Sequence, residues 1–60
     1  MRKYHVTYKT WLGRWTCEHF VATCDTDARF IARMIYRDKV LENLCCGFSL
    51  IDFFGNHIEL

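Results

Sequence analysis

The chain is 60 residues long, 52% apolar and 25% charged, with eight Lys and Arg against seven Asp and Glu for a formal charge of +1. An apolar fraction that high excludes a disordered tail, and the charge balance excludes a polybasic arm or an acidic one. A globule of this size buries only about 60% of the surface its unfolded chain exposes, which leaves little material for a deep, water-excluding cleft and argues against an enzyme.

Residues 1 to 60 read as one domain, because no internal repeat, low-complexity tract or linker interrupts them. Proline is absent, and the three glycines, Gly13, Gly47 and Gly55, each mark an expected boundary. No apolar run approaches the 18 residues of a membrane span, and the N-terminus lacks the apolar stretch of a secretory signal. A cytoplasmic location is therefore expected, that of the host if a phage encodes the chain. In a reducing cytosol Cys17, Cys24, Cys45 and Cys46 are expected as buried or half-buried thiols rather than disulfides.

Lys3 to Thr10 alternates Tyr4, Val6 and Tyr8 with Lys3, His5, Thr7 and Lys9, the period of a half-solvated strand. Trp15 to Thr23 is again rich in aromatic and β-branched residues, and Leu12-Gly13 supplies a two-residue hairpin turn between the two strands. In that register paired residue numbers sum to 25, placing Val6 by His19 and Tyr8 by Cys17. A shift of one residue through a bulge would instead swing Phe20 and Ala22 inward.

At Cys24-Asp25-Thr26-Asp27 the alternation stops, and side chains able to cap free amides open a helix. Phe30, Ile31, Met34 and Ile35 cluster on one side of it, the side expected to cover the sheet. Arg29, Arg33 and Arg37, spaced by four, form a ridge on the other. Because Asp38 falls in the apolar arc while Val40 and Leu44 fall near the ridge, a kink or break is expected near Arg37 to Lys39. A second helical piece would then end by Gly47. A straight helix whose second apolar stripe meets a partner accounts for the same pattern. Phe48 to Phe53 reads as a buried strand, Phe54-Gly55-Asn56-His57 as a turn, and Ile58 to Leu60 as a brief extension. The expected fold class is α+β, a small antiparallel sheet in the order β-β-α-β, with or without a short fourth strand at the end, and one kinked or broken helix packed on one face.

The cysteines and histidines suffice for a zinc site by count, but their spacing argues otherwise: no Cys-x2-Cys pair exists, and Cys17 and Cys24 fall on opposite faces of a regular strand. Cys17 and His19, at i and i+2, stand about 7 Å apart by strand geometry, too far for direct activation of a nucleophile. No glycine pattern for phosphates is present, and helix capping accounts for Asp25 and Asp27. No metal, cofactor or catalytic residue is expected.

Binding residues are easier to nominate. Trp11 and Trp15 flank the hairpin tip with Arg14 beside them, and tryptophan and arginine are the residue types that anchor interfaces. The ridge of Arg29, Arg33 and Arg37 suits successive phosphates or an acidic protein surface. Leu12-Gly13-Arg14-Trp15 followed by Cys24-Asp25-Thr26-Asp27-Ala28-Arg29 resembles plant AP2-type DNA-binding domains, which place a sheet before a helix. This chain departs from them in lacking arginine-rich sheet residues and in placing its third strand after the helix, so no DNA contacts are transferred.

Two functions compete. The favoured one is a non-enzymatic module that occupies the surface of a larger protein or ribonucleoprotein complex, the format of many phage and mobile-element inhibitors, anti-CRISPR proteins included. The other is a small nucleic-acid-binding domain using the cationic N-terminal hairpin and the arginine ridge, disfavoured by the near-neutral charge. No membrane partner is expected. A homodimer is also expected to be accessible, because Val40, Leu41, Leu44 and the run from Phe48 to Phe54 exceed what one small core buries.

Overall fold

A computed structural model describes residues 1–41 and 46–60. Strands β1 (Arg2–Lys9) and β2 (Trp15–Ala22) precede a helix α1 (Asp25–Leu41), and β3 (Cys46–Asp52) and β4 (His57–Ile58) follow it. All four strands join one antiparallel sheet in the order β2-β1-β3-β4, with α1 on one face. The expected small α+β sheet with one helix packed on it is formed, and the option of a fourth strand resolves to a two-residue β4 that starts at His57, inside the expected turn.

The alternation in β1 buries Tyr4, Val6 and Tyr8. Its register with β2 differs from the one a two-residue turn imposes: paired numbers sum to 24, so Val6 faces Glu18 and Tyr8 faces Thr16. The cause lies in the loop. Thr10 N–H donates to the Arg14 carbonyl at 2.8 Å and Gly13 N–H to the Thr10 carbonyl at 2.9 Å, with Gly13 at φ 84°. This is the three-residue hairpin loop in which a turn is followed by a left-handed glycine, one residue longer than the two-residue form. Phe20 and Ala22 therefore face inward, and Phe20 stacks on Tyr4 with ring centroids 5.8 Å apart.

The helix begins where the capping residues predict. Cys24 occupies the cap position, its sulfur accepting the backbone N–H groups of Asp27 and Thr26 and its carbonyl accepting Ala28 N–H at 2.9 Å. Asp27 reaches back to the N–H and hydroxyl of Thr23, both at 3.3 Å.

The buried side of α1 is not the one that hydrophobicity marks. Ala28 and Ala32 are fully buried and Ile31 and Ile35 pack beside them, while Phe30 is 64% and Met34 55% exposed. The two alanines let the helix backbone approach the sheet, and the arc centred on them turns Phe30 almost directly outward. Asp38 then lies outside the buried arc and is exposed, and Lys39 lies within it. That removes the reason for a break: α1 runs without interruption past Arg37, Asp38 and Lys39 to Leu41. The expected second helical piece falls largely on residues 42–45, outside those described, and Gly47 belongs to β3 instead of ending a helix. The apolar stripe of Val40, Leu41 and Leu44 also lies outside the described side chains.

Two hydrogen-bonded triads fasten the layers. Tyr4 donates its hydroxyl to Asp25 Oδ1 at 2.8 Å, and Arg2 stands 3.7 Å from the same oxygen. At the other end of the helix Tyr8 donates to Glu18 Oε2 at 2.6 Å, with Lys39 Nζ at 3.7 Å. Burial and the bond to the Asp25 carboxylate hold the Tyr4 phenol above its ordinary pKa.

Candidate functional site

The helix covers one face of the sheet, and among the described residues no element covers the other. Register places Lys3, His5, Thr7 and Lys9 of β1 on the open side, with Trp15, Cys17, His19 and Val21 of β2 beside them. His5 pairs with both His19 and Ile51, and Ile51 with His57, so all three histidines fall in one row across four strands. The rings of His5 and His19 lie 5.3 Å apart at 39°.

Cys17 and His19 come closer than strand spacing alone allows, with Sγ 3.8 Å from Nε2 and 4.0 Å from Nδ1. The backbones keep their separation while the two side chains lean together. Near-equal distances to both nitrogens put the sulfur in line with neither lone pair, which is poor geometry for proton transfer. Cys17 and Cys24 are free and exposed, contrary to the expectation of buried or half-buried thiols, while Cys45 and the side chain of Cys46 lie outside those described. Among the described residues no three His, Cys, Asp or Glu side chains converge on a common point for a metal ion.

The six nominated binding residues do not share a face. Trp11, Leu12 and Arg14 project from the β1–β2 loop, where Trp11 is 70% exposed. Trp15 is 68% exposed yet anchored: a methyl group in place of the Gly47 hydrogen would stand 3.4 Å from its Cη2. Since β1 separates β2 from β3, the indole lies across the open face from the edge strand to the third strand. Arg29 and Arg33 belong to the helix layer, where Arg29 donates to the Glu59 carbonyl at 2.9 Å and Arg33 to the Leu60 carbonyl. Their guanidinium groups hold the last residues of the chain against α1, so the ridge is not a row of three equivalent contacts. Arg37 is exposed beyond them.

No known protein family, curated protein or solved structure matches this chain. Its surfaces must be read on their own terms.

Sequence reasoning placed a turn at Phe54 to His57 but missed how the second hairpin is closed and that its loop begins at Phe53. Asp52 N–H donates to the Asn56 carbonyl at 3.0 Å and Gly55 N–H to the Asp52 carbonyl at 3.1 Å, with Gly55 at φ 86°. Asp52 Oδ1 also accepts the N–H groups of Phe54 and Asn56, each at 2.9 Å. This repeats the Thr10–Arg14 loop, in which the Thr10 hydroxyl accepts Arg14 N–H at 3.3 Å. The shared pattern is a polar residue, two large apolar ones and a glycine, and each copy displays its apolar pair to solvent: Trp11-Leu12 at one end of the sheet, Phe53-Phe54 at the other. Beside Phe53 and Phe54 an open-sided groove of about 580 Å³ reaches Tyr4, Asp25 and Arg2. Both its carboxylates are engaged, Asp25 by Tyr4 and Asp52 by its own turn. No helix among the described residues is long and apolar enough to cross a membrane.

Proposed function

We propose that this chain is a non-enzymatic protein-binding module that acts by occupying a surface of a larger protein or ribonucleoprotein complex. The observation that carries this reading is the hairpin tip. Trp11 and Leu12 stand exposed on a loop closed by two backbone hydrogen bonds and a third to the Thr10 hydroxyl, with Arg14 beside them. A pair of large apolar side chains on a short, bonded loop is displayed in one geometry, so little ordering entropy is lost on docking. Tryptophan with a neighbouring arginine is the composition of an interface anchor. Counter-defence inhibition of the anti-CRISPR kind is the particular form we propose; its support is the small size and the wealth of surface relative to cavity.

Tagged wild-type protein and its Trp11→Ala variant, used to capture partners from the same lysate, test the reading. The dominant complex recovered with wild type should fall about tenfold or more with Trp11→Ala, the loss typical of an anchor residue. Equal recovery removes the tip from the contact.

A second reading, nucleic-acid binding, draws on a separate observation: Lys3 and Lys9 of β1 both lie on the open sheet face. It calls for a site other than the arginine ridge.

A further inference from the structure

We propose that Cys17, His19 and His5 form a three-donor site for copper(I), a soft cation satisfied by few ligands, on the sheet face that no described element covers. This inference is independent of the protein contact, since Trp11 and Leu12 take no part in it.

The strand pattern brings the three together. Residues i and i+2 of a strand share a face, so Cys17 and His19 project side by side from β2, on the side opposite Glu18 and Phe20. His5 of β1 pairs with His19. Thr10 bonds to Arg14 across the same two strands, and bonded pairs alternate with non-bonded ones. His5–His19 is therefore a non-bonded pair, the kind whose side chains stand closest.

The spacings are those of ligands around one ion. At bond lengths of about 2.3 Å to sulfur and about 2.0–2.1 Å to nitrogen, two donors stand about 3.5 Å apart at the tetrahedral angle and about 3.8 Å apart at a trigonal one. Cys17 Sγ lies 3.8 Å from His19 Nε2. The same bond lengths set the ring centres of two imidazoles on one ion about 5–5.5 Å apart, and those of His5 and His19 stand at 5.3 Å. What is missing is aim. As the side chains lie, the three donors do not meet at one point, and the sulfur is in line with neither lone pair of His19. Cys17 and His19 are exposed and His5 is half-buried, so turning the two rings about their soft terminal torsions completes the site without moving the backbone.

The donor set selects the ion. One thiolate and two imidazoles include no oxygen, which excludes calcium and magnesium. Structural zinc closes with four donors at the tetrahedral angle. The next imidazole, His57, lies beyond Ile51, two strand spacings or about 10 Å from His5, and does not supply the fourth. Copper(I) is selected by soft thiolate ligands, and two imidazoles with one thiolate in a plane are the donors of trigonal copper sites.

The test uses the full chain, reduced and free of oxygen, titrated with copper(I) as its bicinchoninate complex, whose colour is lost as the protein takes the ion. Brief alkylation and peptide mapping then locate the thiol engaged: Cys17 labelling should be lost while Cys24 labels as in metal-free protein. In proton NMR the ring signals of His5 and His19 should shift and that of His57 should not. Removing even an outer partner of a ligand costs about 10–100-fold in metal affinity, so His19→Ala and His5→Ala should each weaken binding at least about tenfold. His57→Ala and Cys24→Ser should leave it unchanged. Persistent Cys17 labelling in excess copper(I) would overturn the proposal, as would equal protection of Cys24, a His57 shift matching that of His5, or full affinity in His19→Ala. Zinc(II) that protects Cys17 at the same concentration as copper(I) would overturn it too, by assigning the site to an ion of higher coordination.

Discussion

Cys24 stands where a helix usually carries a serine or aspartate, and its thiol takes on their task. The backbone N–H of Asp27, then the Thr23 hydroxyl, hold its pKa below the ordinary thiol value, despite the nearby Asp27 carboxylate. Unfolding dissolves these bonds, so the thiolate is favoured in the fold. Its contribution to stability is complete above the unfolded thiol's pKa and fades as pH falls through the folded one. Between pH 9 and 7 the wild type should lose slightly more stability than Cys24→Ser, whose hydroxyl caps at either pH; urea midpoints at the two values check this. Iodoacetamide at pH 7.5 should also label Cys24 ahead of Cys17 in folded protein, with the preference gone in urea. The gain is smaller than the thiolate fraction alone implies, because nucleophilicity falls with pKa. Equal labelling in the folded chain would mean that the cap does not hold the anion.

At the level of elements, the strands and the helix start were legible because local chemistry decides them: alternation in Tyr4, Val6 and Tyr8, and a cluster of capping residues from Cys24 to Asp27. The hairpin register and the buried helix face were not. Register depended on one residue of loop length, and the signal that resolves it is the repeat of Thr10-Trp11-Leu12-Gly13-Arg14 as Asp52-Phe53-Phe54-Gly55-Asn56. The helix face was misjudged because hydrophobicity weights Phe30 and Met34 above Ala28 and Ala32, whereas close approach to a sheet rewards small side chains. A pair of substitutions separates the two views. Ala32→Leu should cost about 1–3 kcal/mol by overpacking, and Phe30→Ser less than about 0.5 kcal/mol because the position is already in water. The reverse order, measured by denaturant unfolding, would put Phe30 against the sheet.

On the scale of the whole molecule, Tyr4, Val6, Ala22, Ala28, Ala32 and Leu50 form the buried cluster among the described residues. Total stability for 60 residues is about 3–9 kcal/mol at typical values per residue, so Leu50→Ala, costing about 2–5 kcal/mol, should remove most of it. Loss of a cooperative thermal transition at 37 °C is the expected result; an unchanged transition would mean the core lies elsewhere. The candidate site was legible in part for the same reason that the core is thin. Trp11 and Trp15 stood out because so small a chain cannot bury them, but the open face did not, since charge totals carry no information about sides. Only the sheet order, which brings β4 beside β3, aligns His57 with His5 and His19 and shows that Glu18 points the other way.

β2 occupies one rim of the sheet for eight residues, and that stretch contains neither proline nor lysine to discourage a visiting strand. Among the described residues no strand takes up its outward amides and carbonyls, which leaves an unfinished seam. Concentrated solutions should therefore knit copies together along it, and a single lysine set into that rim would be the simplest way to keep the protein dispersed.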